Sequence, residues 1–256
     1  MSTLVAIPAR HGSTRFPGKP LAAVLGRPMI GWVVAAARGA RRVDDVAVIT
    51  DREEIAAAAR EAGARAVVSD REAASGSDRI AQLLEVDPAA ARATTIVNLQ
   101  GDEPALEAAA IDRAIELLDR RGVDIATLAR APRAGERIED PDLVKVVLAA
   151  NGRALYFSRA PVPHGVGSRM DEEGDAGPWI HVGLYAYRRA AFDRFTAAPP
   201  SALERAERLE QLRALELGLE IGCAVVETES VAVDTPADVP RAEAALRRLD
   251  ATRARP

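Results

Sequence analysis

Short apolar runs alternate along the first half of the chain with longer stretches in which apolar residues recur every three to four positions. The runs are TLVAIPA near the start, VAVIT before Asp51, RAVVS ending at Ser69 and TTIVNLQ ending at Gln100. Between and after them lie PMIGWVVAAARGA, DREEIAAAAREAG, SDRIAQLLEV and LEAAAIDRAIELLDRRG, several of which close on glycine. The first kind of pattern predicts strands and the second predicts helices, with glycine marking helix ends. Strand and helix in strict alternation is the βαβ rhythm of an α/β fold, a three-layer sandwich around a mostly parallel sheet. Ligands of such sheets bind beyond the carboxyl ends of the strands. The segment after the first strand, Thr50-Asp51 and Gln100-Gly101-Asp102 all fall there.

After about Asp140 the rhythm changes. LVKVVLA and RALYFSR flank Asn151-Gly152, a dipeptide that favours a tight hairpin, so an inserted β-arm is expected within roughly 140–215 of a single domain spanning 1–256. In the strand WIHVGLYAYR, a period of two puts Trp179, His181, Gly183, Tyr185 and Tyr187 on one face and Ile180, Val182, Leu184 and Ala186 on the other. One face reads as core and the other as chemical. Arg159 ends a neighbouring strand on the side of Leu155 and Phe157, so an Arg, a His and a Tyr can converge on an anionic, hydroxylated ligand. SALERAERLEQLRALELG reads as one polar helix stopping at Gly218, followed by the strand EIGCAVVE and by VDTPAD, where a new helix starts.

Composition narrows the class. The chain has 256 residues, 48% of them hydrophobic, which is ample for a core without staples. The single cysteine, Cys223, can form neither an internal disulfide nor a thiolate metal cage, which suits a reducing compartment. Only a handful of apolar residues precede Pro8 and Arg10, and no stretch nears the ~18 apolar residues of a membrane span, so no membrane partner is expected and the location is cytoplasmic. A net charge of −4 argues against a nucleic-acid surface. Any cationic site must be local.

The segment IPARHGSTRFPGKP supplies one. Arg10, Arg15 and Lys19, with Ser13 and Thr14, stand among glycines and prolines directly after the first strand. Three cations within ten residues repel one another unless an anion joins them, so the segment reads as a triphosphate loop. It is not a P-loop: five residues separate Gly12 from Gly18, and Pro20 follows Lys19 where a metal-binding hydroxyl belongs. In NLQGDEP, two carboxylates follow an apolar strand. Hard cations such as Mg²⁺ are held by one or two carboxylates plus substrate phosphates, so Asp102 is a candidate metal ligand, with Asp234 a second. The ordinary alternatives are an acidic helix start for the first and an N-cap for the second. ASGSDR offers hydroxyls, a flexible glycine and the pair Asp78 and Arg79, a pattern that also serves as plain capping.

These blocks, with VKVVLAANGRALYFSRAPVP, HVGLYAYR and LERAERLEQLR in the same order, resemble the 3-deoxy-manno-octulosonate (KDO) cytidylyltransferase family over nearly the whole length. The resemblance implies a Rossmann-like nucleotidyltransferase sandwich whose β-arm contributes to a homodimer. It also implies a reaction in which CTP and KDO give CMP-KDO and pyrophosphate, with Mg²⁺ as cofactor, activating the sugar for lipopolysaccharide. Carried over by position, Arg10, Ser13, Arg15 and Lys19 resemble triphosphate ligands, and Ser75 and Asp78 part of the cytidine pocket. Arg79, Gln100, Arg159, His181, Tyr185, Glu210 and Gln211 resemble the sugar-acid pocket, Asp102 and Asp234 the metal ligands, and Lys19, Arg15, Asp102 and Asp234 the catalytic set. Three features depart from the family pattern: Phe16 in place of the usual leucine, Ala105 where a larger aliphatic is common, and a Gly-rich segment from His164 to Gly177. Alternatives are the same reaction on the 8-amino analogue of KDO, CMP-sialic acid synthesis, whose opening loop differs from STRFPGKP, and a silent nucleotide-binding module.

Overall fold

TLVAIPA forms β1 (Thr3–Ala9), in which all residues but Pro8 are buried. The computed structural model describes residues 2–120, 122–164 and 178–253. It divides into two compact units, 1–112 with 228–256 and 113–227. From residue 165 on, the Gly-rich segment lies outside the described residues.

In the first unit β1 is followed by a small antiparallel hairpin, β2 (Ala23–Val24) and β3 (Arg27–Pro28). Then come α1 (Met29–Gly39), β4 (Asp45–Thr50), α2 (Glu53–Glu61), β5 (Arg65–Val68), α3 (Gly76–Val86) and β6 (Thr95–Leu99), and α4 (Ala108–Leu117) begins. β1 pairs in parallel with β4 and with β6, and β4 pairs in parallel with β5. A parallel strand with neighbours on both edges and helices on its faces buries both sets of side chains, which is why these runs are continuously apolar. Leu4 to Ile7 and Val46 to Ile49 are at most 5% exposed. α1 buries Met29, Ile30, Val33, Val34 and Ala37, the stripe that helical spacing predicts. Each larger side chain so removed from water contributes about 1.5–3 kcal/mol.

The second unit holds β7 (Ile125–Arg130), β8 (Lys145–Leu148), β9 (Ala154–Ser158), β10 (Trp179–Arg188), α5 (Arg189–Ala197), α6 (Ala202–Glu207), α7 (Gln211–Glu216) and β11 (Ile221–Val225). β7 runs parallel to β11 and antiparallel to β10, whose first residues pair with β8. The last helix, α8 (Val239–Arg253), belongs to the first unit. The α/β fold with a mostly parallel sheet is therefore present, and the antiparallel pairings gather in the second unit.

The hairpin at Asn151-Gly152 joins β8 to β9 as expected. Gly152 alone takes a left-handed conformation there (φ 82°), and the loop closes through Ala149 N–H to Arg153 O and Gly152 N–H to Ala149 O. Three local expectations are corrected. The stretch 202–216 is two short helices, because Arg208 turns left-handed (φ 55°) and ends α6. Leu155 and Phe157 do not share a side, since an irregularity in the β8–β9 register leaves Leu155 exposed and Phe157 fully buried. The chemical face of β10 is shorter than its alternation suggests: Tyr187 is 3% exposed and packs on Phe192 and Phe195.

Candidate active site

In the first unit, the segment after β1 is held in shape by its own main chain. Gly18 donates to His11 O (3.0 Å), Ser13 donates to His11 O (2.9 Å), and His11 N–H is taken by Asp51 Oδ1 (2.8 Å) at the end of β4. Gly18 has φ 71°, a region where a side chain is strained, and it opens the short turn Lys19–Leu21. That turn aims Lys19 inward. Its Nζ lies 2.6 Å from Asp102 Oδ2 and 3.3 Å from Asp234 Oδ1, while Arg15 reaches Asp234 Oδ1 at 3.0 Å. Three distant pieces of chain thus meet at one ammonium group.

The carboxylates arrive there for local reasons. Asp102 follows β6 through Gly101, where an added Cβ would stand 3.2 Å from Pro8 O, so a side chain here would crowd the close approach to β1. Val233 N–H donates to Asp102 O (2.9 Å), tying the segment before α8 to that turn. The capping alternative for Asp234 is resolved by its neighbours: Thr235 is the cap residue, and Asp238 Oδ2 accepts from Thr235 N–H (2.9 Å), Thr235 Oγ1 (2.9 Å) and Asp234 N–H (3.2 Å). Burial alone would raise the Asp238 pKa, but these hydrogen bonds outweigh it and hold the carboxyl below its usual range. Asp238 does the capping, and the carboxylate of Asp234 is left to the cations.

The other predicted residues of this unit take varied places. Ser13 Oγ accepts from Phe16 N–H (3.3 Å) and Ser75 Oγ caps α3 by accepting from Asp78 N–H (3.2 Å), so both serve the backbone and keep a hydroxyl proton to donate. Gln100 is oriented by a relay, donating to Asn98 Oδ1 (3.0 Å) while Asn98 donates to Ser77 Oγ (3.4 Å). Arg79 is 8% exposed, and its NH1 has no hydrogen-bond partner among the described residues. A buried guanidinium left this way is costly and calls for an anionic ligand. Arg10 is exposed.

In the second unit, His181 and Tyr185 stand together on β10 with ring centroids 5.2 Å apart, and Phe157 meets His181 edge-on at 5.3 Å. Thr127 Oγ1, on β7, lies 2.8 Å from Leu184 O and 2.9 Å from His181 Nε2. A carbonyl only accepts, so the threonine proton goes to Leu184 and His181 donates from Nε2, leaving Nδ1 as an acceptor. Burial pushes the His181 pKa down to about 3, so the ring is neutral at pH 7. Burial, then Tyr187 and Glu210, push the Tyr185 phenol well above its ordinary value, so it remains a donor. Gln211 is buried at the first position of α7. Arg159 bonds elsewhere than to this pair: Nε donates to Glu207 O (2.9 Å) and NH1 to Pro141 O (2.8 Å). Of the expected Arg, His and Tyr, His181 and Tyr185 thus stand together, with Glu210 near enough to act on the Tyr185 phenol, while the Arg159 guanidinium donates to main-chain carbonyls rather than to this pair. Thr127 escaped sequence reasoning because a threonine in an apolar strand carries no signal of its own.

Mg²⁺ fits the first cluster. One ammonium touches both Asp102 and Asp234, so their oxygens converge on a single cation-sized position, and their hard oxygen donors suit that ion. Among the described residues no group of three or more His, Cys, Asp or Glu forms a metal cage, so substrate phosphates and water would complete the coordination.

Comparisons with known proteins give the family. A family model for cytidylyltransferases matches residues 4–221. The chain is 48% identical over 244 residues to the 3-deoxy-manno-octulosonate cytidylyltransferase of Anaeromyxobacter dehalogenans, covering 94% of this chain and 96% of that protein. It is 49% identical over 250 residues to the enzyme of the same name from Parvibaculum lavamentivorans, covering 96% and 93%. A solved structure of CMP:2-keto-3-deoxy-manno-octonic acid synthetase complexed with CTP superposes with a TM-score of 0.85 at 35% identity, over 97% of this chain and all of that one. Placed beside a loop whose cations already engage the two carboxylates, these likenesses settle the kinship: the chain belongs to the 3-deoxy-manno-octulosonate cytidylyltransferase family of cytidylyltransferases.

Proposed function

We propose that the protein transfers CMP from CTP to the anomeric hydroxyl of KDO, releasing pyrophosphate and activating the sugar for lipopolysaccharide synthesis. The observation that carries this reading is the meeting of Arg15 and Lys19 with Asp102 and Asp234. Phosphate-binding cations and hard carboxylates at one point suit a nucleoside triphosphate and its divalent ion. The sugar oxygen bonds to the α-phosphorus as the bond to the β-phosphate bridge breaks, and the hydroxyl proton passes to solvent. No covalent enzyme intermediate is required.

In this reading Arg10, Ser13, Arg15 and Lys19 neutralise the triphosphate, and Ser75 and Asp78 take part in holding cytidine. Bound Mg²⁺, on Asp102 and Asp234, supplies charge neutralisation for the phosphates. Arg79, Gln100, Arg159, His181, Tyr185, Glu210 and Gln211 serve the sugar acid. A neutral His181 with a free Nδ1 accepts from a sugar hydroxyl, Tyr185 donates to one, and the planar fork of Arg159 suits a carboxylate. The enzyme is a homodimer, and it acts in the cytoplasm. That location is supported by a lone buried thiol and by the lack, among the described residues, of a helix long and apolar enough to cross a membrane.

The test is pyrophosphate release with CTP and Mg²⁺ across KDO, its 8-amino analogue and a sialic acid. Turnover with KDO at least tenfold above the others is expected. Comparable turnover of the 8-amino sugar would reassign the substrate, and none with any sugar acid would overturn the activity.

A further inference from the structure

Lys145 is a charged residue that opens the otherwise apolar strand β8, and its side chain is wholly buried. Among the described residues no carboxylate forms an ion pair with it; its Nζ donates to two main-chain carbonyls, Asp140 O (2.9 Å) and Arg159 O. Taking an ammonium group out of water for two neutral acceptors is costly, and burial lowers its pKa, an effect partly offset by Asp140. A core needing only stability would place an apolar side chain here.

Arg159 is gripped from the other side by Glu207, the last residue of α6. One carboxylate oxygen accepts from Ser158 Oγ (2.7 Å), the other from Arg159 N–H (3.0 Å), and Tyr156 bonds to the same group. Burial would raise the Glu207 pKa, but these donors more than compensate and keep it ionised below its usual range. The arginine's own guanidinium donates only to carbonyls: Nε to Glu207 O, NH1 to Pro141 O and, more weakly, NH2 to Arg208 O (3.5 Å). Five N–H donors with three used leave two, and among the described residues no carboxylate pairs with them. The network therefore immobilises a full positive charge while leaving part of its fork open. It also anchors residues 207 and 208, where α6 breaks and the chain turns into Glu210 and Gln211.

We infer that Lys145 and Glu207 are positioning residues for the sugar-acid end of the site, holding Arg159 open to a carboxylate and fixing the turn that carries Glu210 and Gln211. The inference rests on the proposed cytidylyltransferase activity. A role of this kind acts on one substrate only. Glu207→Gln keeps the shape but turns an acceptor into a donor facing fixed donors, Lys145→Met removes the ammonium at similar volume, and Tyr156→Phe removes one hydroxyl from a partly exposed position. Pyrophosphate release gives KM for KDO at saturating CTP, titration without sugar gives Kd for CTP, and urea unfolding reports folding. Glu207→Gln and Lys145→Met are expected to raise KM for KDO about tenfold and Tyr156→Phe about threefold, with Kd for CTP within twofold of the unmutated enzyme. The inference is overturned if KM for KDO stays within twofold in every folded variant, or if CTP binding weakens in step with it. Tyr156→Phe keeps the test decisive should either of the other two fail to fold. If the unmutated enzyme releases no pyrophosphate with KDO, the activity itself falls and the inference with it.

Discussion

Single side chains in this protein are assigned by what their neighbours leave undone. Asp234 looks in sequence like an N-cap, but Thr235 and Asp238 perform that task, so its carboxylate faces Lys19 and Arg15. Asp102→Asn or Asp234→Asn should lower turnover by about 10²–10³-fold, the scale for losing one preorganised charge-stabilising group. The double variant should lose less than the product, because both act on one cation; turnover across a Mg²⁺ titration, with circular dichroism for folding, checks both statements. Near-normal turnover of either folded variant would return that carboxylate to an ordinary structural role. His181 makes a prediction about pH. Its folded pKa, about 3, lies below the unfolded value of roughly 6.5, so between these the unfolded chain binds more protons. The stability His181 confers is complete above pH 6.5 and is lost as pH falls, with a slope of up to about 1.4 kcal/mol per pH unit. Urea midpoints at pH 7 and pH 5 should fall further apart for the unmutated protein than for His181→Gln; equal differences would show that the ring does not titrate as stated.

Elements show how the chain compensates for local irregularity. Phe16 and Ala105 both depart from the family pattern, and both belong to one apolar cluster with Val24, Met29, Val231, Val233 and Leu246. A large residue from the anion loop thus packs against the same cluster that a small one after the acidic turn helps to form. Ala105→Val should destabilise by about 1–3 kcal/mol through overpacking, and Phe16→Leu by about 1 kcal/mol through a void. Combined, they should cost less than their sum; strict additivity in urea unfolding would separate the two positions. Arg208 is the second irregularity. Its left-handed backbone breaks the expected single helix, at a cost typical of a non-glycine residue there. Arg208→Gly should therefore stabilise by up to about 1 kcal/mol, the relief of strain being partly offset by a freer unfolded chain. A lower urea midpoint would mean that the arginine side chain contributes more than its strain costs.

At the scale of the whole molecule, the first unit is assembled from both ends of the chain, since residues 228–256 pack with residues 1–112. Val231, Val233, Ala242, Ala245 and Leu246 are all buried there, and Leu25 N–H donates to Glu243 Oε1 (3.0 Å) on α8. Truncation after Glu227 removes this packing together with Asp234. It should abolish CTP binding and red-shift the fluorescence of Trp32, which packs against the same cluster. Retained CTP affinity in the truncated chain would show that the last segment is dispensable to the nucleotide end. Selection of the base is also a whole-site property: CTP should exceed UTP in kcat/KM by at least tenfold, because a carbonyl in place of an amino donor leaves buried acceptors unpaired.

Much of this was legible in sequence because it depends on local periodicity and local composition. β1, β4, β5 and β6, the four helices among and after them, the hairpin at Gly152 and the cationic segment after Ala9 each follow from residues adjacent in the chain. The charges that meet, Arg15 and Lys19 with Asp102 and Asp234, were legible too as cations of one segment and candidate metal carboxylates, whereas Arg10 of that segment is exposed. Tertiary structure alone decided which residues answer one another across long separations. Lys19 meets Asp234 across more than two hundred positions, Thr127 sets the tautomer of His181, and Lys145 with Glu207 clamps Arg159. The physical reason is that periodicity records which face of an element is buried but not what it is buried against. A hydrogen bond or ion pair between distant residues exists only once the fold has brought its two ends within about 3 Å.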